Sequence, residues 1–183
     1  MSHTPEKPKK VSIRVQSEPF LNDPEGADVY YLELGRILVL WGRFENHFSH
    51  ALIALCNMPA AKNFMPTNMP LPFNDKAKLL RKLFQEIDEL SALKEEALSL
   101  IADASDSAED RHVVMHGHFN GFIDDDPLTG RFLRHRHQGE KIIFERYDVT
   151  IDALHEMTNK IDSLNTRLLP ITFNVISPSP TSG

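Results

Sequence analysis

An arginine and three histidines lie close together near the middle of the chain, in the stretch AEDRHVVMHGHFNGF at residues 108–122. They are Arg111, His112, His116 and His118. Histidine both accepts and donates protons near neutral pH, because its unperturbed pKa is about 6.5. Arginine keeps its charge, and its planar guanidinium matches a phosphate group. Together these side chains suit RNA cleavage without a metal: a base removes the 2′-hydroxyl proton, the arginine stabilises charge at phosphorus, and an acid protonates the leaving oxygen.

The spacing of these residues on a helix limits what one chain can do. Arg111 and His116 are five positions apart, so they point roughly 140° away from each other. His112 and His116 differ by only about 40° and share a face. A second copy of the helix, brought alongside by a two-fold axis, could supply the missing group. The sequence therefore predicts a homodimer that buries part of this helix and of the first helix. An excess of aromatic residues on the first helix favours the same prediction (Tyr30, Tyr31, Trp41, Phe44, Phe48).

A purely structural interpretation of the same residues stays open. A histidine near a helix C-terminus interacts favourably with the exposed carbonyl groups and the negative end of the helix dipole. Arg111 on an acidic helix can simply pair with Glu109, Asp110 or Glu45. Under this interpretation the four side chains stabilise a helix end and have no catalytic role.

Metal binding is the second alternative. His112 and His116 have the i, i+4 spacing of helical zinc sites. Further ligand candidates are spread over the chain (His118, His135, His137, Asp103, Asp106). However, no HExxH pattern and no cysteine pair accompanies them, and we predict neither a metal nor another cofactor.

The segment GRFLRHRHQGEKIIFER, residues 130–146, is rich in basic residues and has the alternating pattern of strands. Such strands could present a basic, aromatic-bearing face to nucleic acid. Arg134, Arg136 and Lys141 are the predicted RNA-binding residues. The alternative is a solvated sheet edge whose charges prevent aggregation.

Composition restricts the classes of protein to which the chain can belong. Its 183 residues suffice for one domain with a sizeable core, and 41% hydrophobic with 25% charged residues is typical of globular proteins. The net charge of -6 argues against nucleic-acid binding through bulk positive charge, but not against a local basic site. A single cysteine, Cys56, cannot form an intrachain disulfide. The N-terminus lacks the apolar segment of a signal peptide, and the run ILVLW is too short to span a membrane. We therefore expect a cytoplasmic protein without membrane partners.

Hydrophobic periodicity predicts the elements that position these residues. Residues 1–27 form an arm, in which VSIRV has the alternation of a short strand. The first predicted helix spans about residues 28–57, and the third spans roughly 92–116. Between them a second helix is predicted to begin at an Asn74 N-cap and to include Ile87 and Leu90 in its apolar stripe. Gly117 suits the end of the third helix. HFNGFI, RFLRHRH and KIIFERYDV are predicted strands, and Thr150 caps a fourth helix that ends at Pro170.

The predicted fold is mainly α: an antiparallel four-helix bundle with a small antiparallel β-meander inserted between helices 3 and 4. The bundle domain spans residues 28–170. Residues 171–183 form a C-terminal tail, in which ITFNVI alternates like a strand that could pair with VSIRV.

The stretch DRHVVMHGHF resembles the Arg-x(4–6)-His motif of the HEPN superfamily, in which a polar residue follows the arginine. Arg111, His112 and His116 with the following glycine fit this pattern at the end of the third helix. The resemblance extends to LVLWGRFENHFSHAL on the first helix and to the order of elements over about residues 28–169.

The resemblance implies a HEPN-like helical bundle, commonly dimeric, and in many members a metal-independent endoribonuclease of toxin–antitoxin or antiviral systems. Arg111 and His116 match the two functional residues of the motif, and His112 matches its polar position. Glu45 is similar to an acidic residue that orients the arginine. By analogy alone, a cognate antitoxin is an expected partner. One toxin branch has a modifiable tyrosine where this chain has His118, and other members keep the fold without cleaving RNA.

Overall fold

A computed structural model describes residues 23–70, 72–123, 126–138 and 141–176 of the chain. Within them lie four α-helices, α1 (Ala27–Cys56), α2 (Phe73–Glu86), α3 (Ser91–His116) and α4 (Ile151–Ile176), and two short 3-10 helices (Pro59–Phe64, Asp88–Leu90). Three strands follow α3: β1 (His118–Ile123), β2 (Asp126–Gln138) and β3 (Lys141–Thr150). The prediction of a mainly helical fold with a small antiparallel sheet between helices 3 and 4 is confirmed. The arm segment VSIRV lies outside the described residues.

The apolar stripe of α1 forms the centre of the core. Its buried side chains recur at spacings of three and four (Ile37, Trp41, Phe44, Phe48, Leu52, Leu55). Leu38, which the pattern also places on the stripe, is instead 54% exposed. The helix packs mainly against α4, and α3 packs against both α2 and α4. No helix in the described part of the chain is long and apolar enough to cross a membrane.

The ends of α2 differ from the prediction. The helix begins at Phe73, directly after Pro72, so Asn74 lies exposed in the first turn and is not the N-cap. Proline suits a helix start because its missing N–H would have no intrahelical partner. Ile87 and Leu90 follow the helix rather than continue it, although both are buried.

The fourth helix begins as predicted and ends later. The Thr150 hydroxyl accepts a hydrogen bond from the Ala153 N–H (3.2 Å), which confirms the N-cap. The helix continues through Pro170 to Ile176, so the predicted strand ITFNVI is wrong, and the tail predicted from residue 171 is helical as far as residue 176. Ile171 and Val175, four positions apart, are both buried, whereas Phe173 is 67% exposed. This burial pattern has the period of a helix. The free energy gained by burying these two side chains offsets the loss of the helix hydrogen bond that Pro170 removes.

The three strands form an antiparallel sheet in the order β1-β2-β3. Phe132 opposes Tyr147, and Arg134 opposes Glu145, on the inner face, which packs against the helices. Phe132 is buried there. The strand β2 starts at Asp126, earlier than the pattern RFLRHRH indicated, because the DPLTG segment is already paired.

A buried tyrosine joins the sheet to α1. The Tyr30 hydroxyl donates a hydrogen bond to the Val149 carbonyl (2.8 Å). Burial raises the pKa of Tyr30 to about 12, although a backbone hydrogen bond from Gly130 opposes that rise. The hydroxyl therefore stays protonated and remains a donor at ordinary pH.

Candidate active site

Arg111 does not lie on an open surface but packs against the first helix. Its guanidinium carbon lies 4.5 Å from the centroid of the Trp41 ring. The Arg111 Nε is buried and has no hydrogen-bond partner among the described residues. Burial lowers the pKa of Arg111, and the charge of Glu45 partly opposes this. A partly desolvated guanidinium with an unpaired donor favours the binding of an anion. A hydrogen bond from a desolvated N–H to a new acceptor contributes more binding free energy than one from a solvated N–H.

Glu45 lies one turn after Trp41 on α1, on the same side of that helix. It is half-buried, and its charge acts on Arg111. Within the described residues no hydrogen bond joins the two side chains. Glu45 therefore influences the arginine through its electrostatic field, which is consistent with the orienting role that the resemblance implies.

The two histidines of the motif stand side by side. The rings of His112 and His116 have centroids 4.6 Å apart and planes inclined at 50°. This contact agrees with the shared helix face expected from their spacing. His112 is half-buried, whereas His116 is exposed. Burial, followed by the charges of Arg134 and His116, lowers the pKa of His112, while Glu109 acts in the opposite direction. His112 is therefore mainly neutral at pH 7 and can accept a proton.

A pocket of about 380 Å³ contains part of this group. It lies between the start of α2 and the last turns of α3, and its lining residues are Pro72, Phe73, Asn74, Ser105, Ala108, Glu109, Arg111 and His112. His116 does not line it. One chain therefore places Arg111 near both His112 and Glu45, and it places His112 beside His116. It does not place Arg111 and His116 in the same pocket.

No protein-family model, no curated protein and no solved structure matches this chain significantly. The resemblance to HEPN proteins therefore rests on the motif, its place at the end of α3 and the order of the elements.

Gly117 sets the direction in which the chain leaves the site. Its N–H donates to the Val113 carbonyl (2.8 Å), which closes the last turn of α3. A Cβ at this position would collide with the same carbonyl oxygen and would lie 3.3 Å from the Phe132 side chain. The residue has an extended backbone, with φ −70° and ψ 149°, so glycine is required here for close approach rather than for a left-handed turn.

The predicted RNA-binding residues of the meander have different environments. Arg134 lies on the inner face, where its Nη1 is 3.5 Å from a carboxylate oxygen of Glu109, and its charge acts on His112. Arg136 pairs with Glu145 at 3.0 Å. Lys141 opens β3, opposite Gln138. The two arginines are thus already paired with carboxylates.

The described residues contain no group of three or more histidine, cysteine, aspartate or glutamate side chains arranged to hold a metal ion. His112 and His116 lie together without a third ligand. Asp103, one of the candidates, accepts a hydrogen bond from Arg167 (2.6 Å) on α4. The described histidines and carboxylates therefore offer no ready metal site.

Two side chains have roles at this site that the sequence did not reveal, although Arg134 is among the predicted RNA-binding residues. Trp41 provides the surface on which Arg111 lies, and Arg134 shifts the pKa of His112. The four-residue spacing of Trp41 and Glu45 on α1 was a usable signal for the first. Nothing in the sequence signalled the second, because Arg134 reaches His112 only through the packing of the sheet on α3.

Proposed function

We propose that this protein is a metal-independent endoribonuclease of the HEPN type. The observation that carries the proposal is the state of Arg111: a partly desolvated guanidinium, stacked on Trp41, with an unpaired buried Nε, in a pocket that it shares with His112. A phosphodiester in that pocket supplies acceptor oxygens to the guanidinium group of Arg111. The adjacent imidazoles of His112 and His116 supply the proton-transfer groups.

In the proposed reaction a base removes the proton of the 2′-hydroxyl, and the 2′-oxygen attacks the adjacent phosphorus. The bond from phosphorus to the 5′-oxygen breaks, an acid protonates that oxygen, and a 2′,3′-cyclic phosphate remains. His116 acts as general acid or base, and Arg111 stabilises the charge that develops on the phosphoryl oxygens. His112 and Glu45 orient these groups, and the lowered pKa of His112 keeps it available as an acceptor.

The assembly belongs to the same proposal. The contacts of α1 with α4 and of α3 with both α2 and α4 support an antiparallel four-helix bundle. A homodimer would supply the His116 that the pocket of one chain lacks. The aromatic residues of α1 no longer argue for it, because Tyr30, Trp41, Phe44 and Phe48 are buried within one chain. Leu32, Leu38 and Val39, at 67%, 54% and 68% exposure, leave an apolar surface on α1 that a second copy can cover.

A second candidate function is a catalytically inactive scaffold with the same fold. The observation that favours it is the stacking of Arg111 on Trp41, which stabilises a folded chain whether or not RNA binds. A cognate antitoxin remains an expectation from family analogy, and it applies only to the active enzyme.

Cleavage of a fluorescent single-stranded RNA, with and without EDTA, tests the proposal. We expect equal cleavage in both conditions and losses of roughly a hundredfold or more in His116→Ala and in Arg111→Ala. His50→Ala is the matched control, because His50 is exposed on α1 and points roughly 180° away from Trp41 at a separation of nine residues. Intact RNA with all four proteins, each folded by circular dichroism, would favour the scaffold. Cleavage that EDTA abolishes would favour a metal enzyme.

A further inference from the structure

The sheet has a second face that the proposed active site does not use. Side chains alternate between the two faces of a strand, and directly paired residues lie on the same face. Pairing of His118 with Leu133, Leu133 with Arg146, and His135 with Phe144 therefore places these residues together, opposite the buried Phe132. We call this the outer face, and it consists of His118, Leu133, His135, Ile142, Phe144 and Arg146.

Phe144 is the most informative residue of the outer face. It is 78% exposed, and Ile142, two residues before it, is 52% exposed. The Phe144 ring lies 6.4 Å from the ring of His135, its cross-strand partner. The other strand phenylalanines pack inward, with Phe119 against Phe132 at 5.3 Å. An aromatic pair that stands in solvent at the middle of a paired strand adds nothing to the core, and such exposed apolar groups indicate a binding surface.

The outer face also carries positive charge next to these rings. Arg146 is exposed, and its charge acts on Asp148, two residues further along β3. Arg131 lies on the same side of the sheet and pairs with Asp148 at 2.8 Å. The positive charge is thus local, in a protein whose net charge is -6. It suits a ligand that combines flat apolar rings with separate negative charges.

The outer face begins beside the candidate active site. His118 is exposed and follows His116, the last residue of α3, by two residues, with only the extended Gly117 between them. The chain therefore carries His116 and the first residue of the outer face within two positions of each other.

We propose that the outer face binds single-stranded RNA by base stacking on Phe144 and His135, with Arg146 contacting the phosphate backbone. Single-stranded bases expose the flat faces that stack on aromatic side chains, whereas the bases of a duplex are already stacked on each other. The inference rests on the proposed nuclease function and adds to it the surface of the sheet that holds the strand outside the reaction centre. It also replaces Arg134 and Arg136, which face inward or are ion-paired, with Phe144 and Arg146 as the principal RNA contacts.

Binding can be measured without cleavage. A fluorescein-labelled 2′-O-methyl oligoribonucleotide has no free 2′-hydroxyl and cannot be cut by the proposed reaction. In fluorescence anisotropy titrations of the full chain we expect Phe144→Ala to weaken binding between about fivefold and about 150-fold, the usual range for loss of one stacked base. Phe173→Ala is the matched control, because Phe173 is a phenylalanine of α4 with 67% exposure and should leave the affinity unchanged.

A tryptophan reporter tests the contact directly. Trp41, the protein's one tryptophan, is 3% exposed, so a tryptophan at position 144 would dominate the change in emission on binding. Phe144→Trp should bind with at least the wild-type affinity, and its fluorescence should be quenched by the single strand but not by a duplex of the same sequence. Phe173→Trp should show no quenching.

Three outcomes would overturn the inference: no binding of the single strand, equal effects of Phe144→Ala and Phe173→Ala, or a dimer that becomes monomeric in Phe144→Ala alone. The last would assign the outer face to a second copy of the chain. Normal cleavage of RNA with no effect of Phe144→Ala on binding or rate would refute this inference alone. Binding of the single strand that depends on Phe144, with no cleavage of any RNA, would refute only the proposed nuclease function.

Discussion

Replacing Gly130 by alanine tests the contact on which the position of the sheet depends. A Cβ at Gly130 would lie 2.6 Å from the Tyr30 hydroxyl oxygen, 2.7 Å from Tyr30 Cζ and 2.8 Å from Phe119 Cε2. Neither ring can yield easily. Tyr30 is 0% exposed and donates a hydrogen bond to Val149, and Phe119 packs against both Tyr30 and Phe132. The substitution therefore forces the sheet away from α1.

The expected cost follows from these contacts. Overpacking a filled core costs roughly 1–3 kcal/mol, and loss of the Tyr30 hydrogen bond adds about 1 kcal/mol. Gly130→Ala should thus be destabilised by about 2–4 kcal/mol, which corresponds to a fall in melting temperature of roughly 4–16 °C for a domain of this size. Urea denaturation and thermal melts followed by circular dichroism measure both quantities.

Gly35→Ala is the control for this prediction. Gly35 lies within α1, and a Cβ added there would meet nothing within 4 Å. Alanine should stabilise the helix by roughly 0.5–1 kcal/mol, because glycine is a poor helix former. Unfolding of Gly130→Ala at the wild-type temperature would refute the description of the sheet as held against α1 by close packing at Tyr30. Equal destabilisation by the two substitutions would refute it as well.

Three further predictions concern single side chains. Arg111→Met should change the free energy of unfolding by no more than about 1 kcal/mol, because methionine can fill the space over Trp41 and removes a partly buried charge. The rate of RNA cleavage should nevertheless fall about a hundredfold or more. A variant that loses activity only because it is unfolded in the assay would contradict this prediction. Burial lowers the pKa of His112 in the folded protein, so the unfolded chain binds a proton more readily at this residue. The folded state therefore loses free energy of unfolding as the pH falls below about 6.5. Urea denaturation between about pH 7.5 and about pH 5.5 should show a smaller loss in His112→Gln than in the wild type. Thr158→Val should lower the free energy of unfolding by roughly 1–3 kcal/mol, because the buried Thr158 hydroxyl donates a hydrogen bond to the buried Glu33 carboxylate. Thr166→Val, at an exposed position of the same helix, should leave that free energy nearly unchanged in the same urea titration.

Local sequence patterns predicted most of the elements of this fold. The bounds of α1, α3 and β1 agree with the structure to within one or two residues, because long apolar periodicity and a change of period are local properties. The Thr150 cap was predictable for the same reason, since a hydroxyl needs only the N–H groups of the next turn. The end of α4 was not predictable. Pro170 signals a helix end locally, but burial of Ile171 and Val175 against the rest of the molecule outweighs that signal.

The candidate site shows the same division. The spacing of Arg111, His112 and His116 places them at the end of one helix, with the two imidazoles on one face and the side chains of Arg111 and His116 roughly 140° apart. The groups that surround them come from distant segments of the chain. Trp41 lies 70 residues from Arg111 in the chain, and its contact with the guanidinium depends on how the helices pack. Likewise, alternation showed that the strands have two faces, but only the packing of β2 and β3 on the helices decided that Arg134 faces inward and Phe144 faces solvent. Side-chain spacing is set by the backbone of one segment, whereas burial and pKa depend on groups that meet only when distant segments pack.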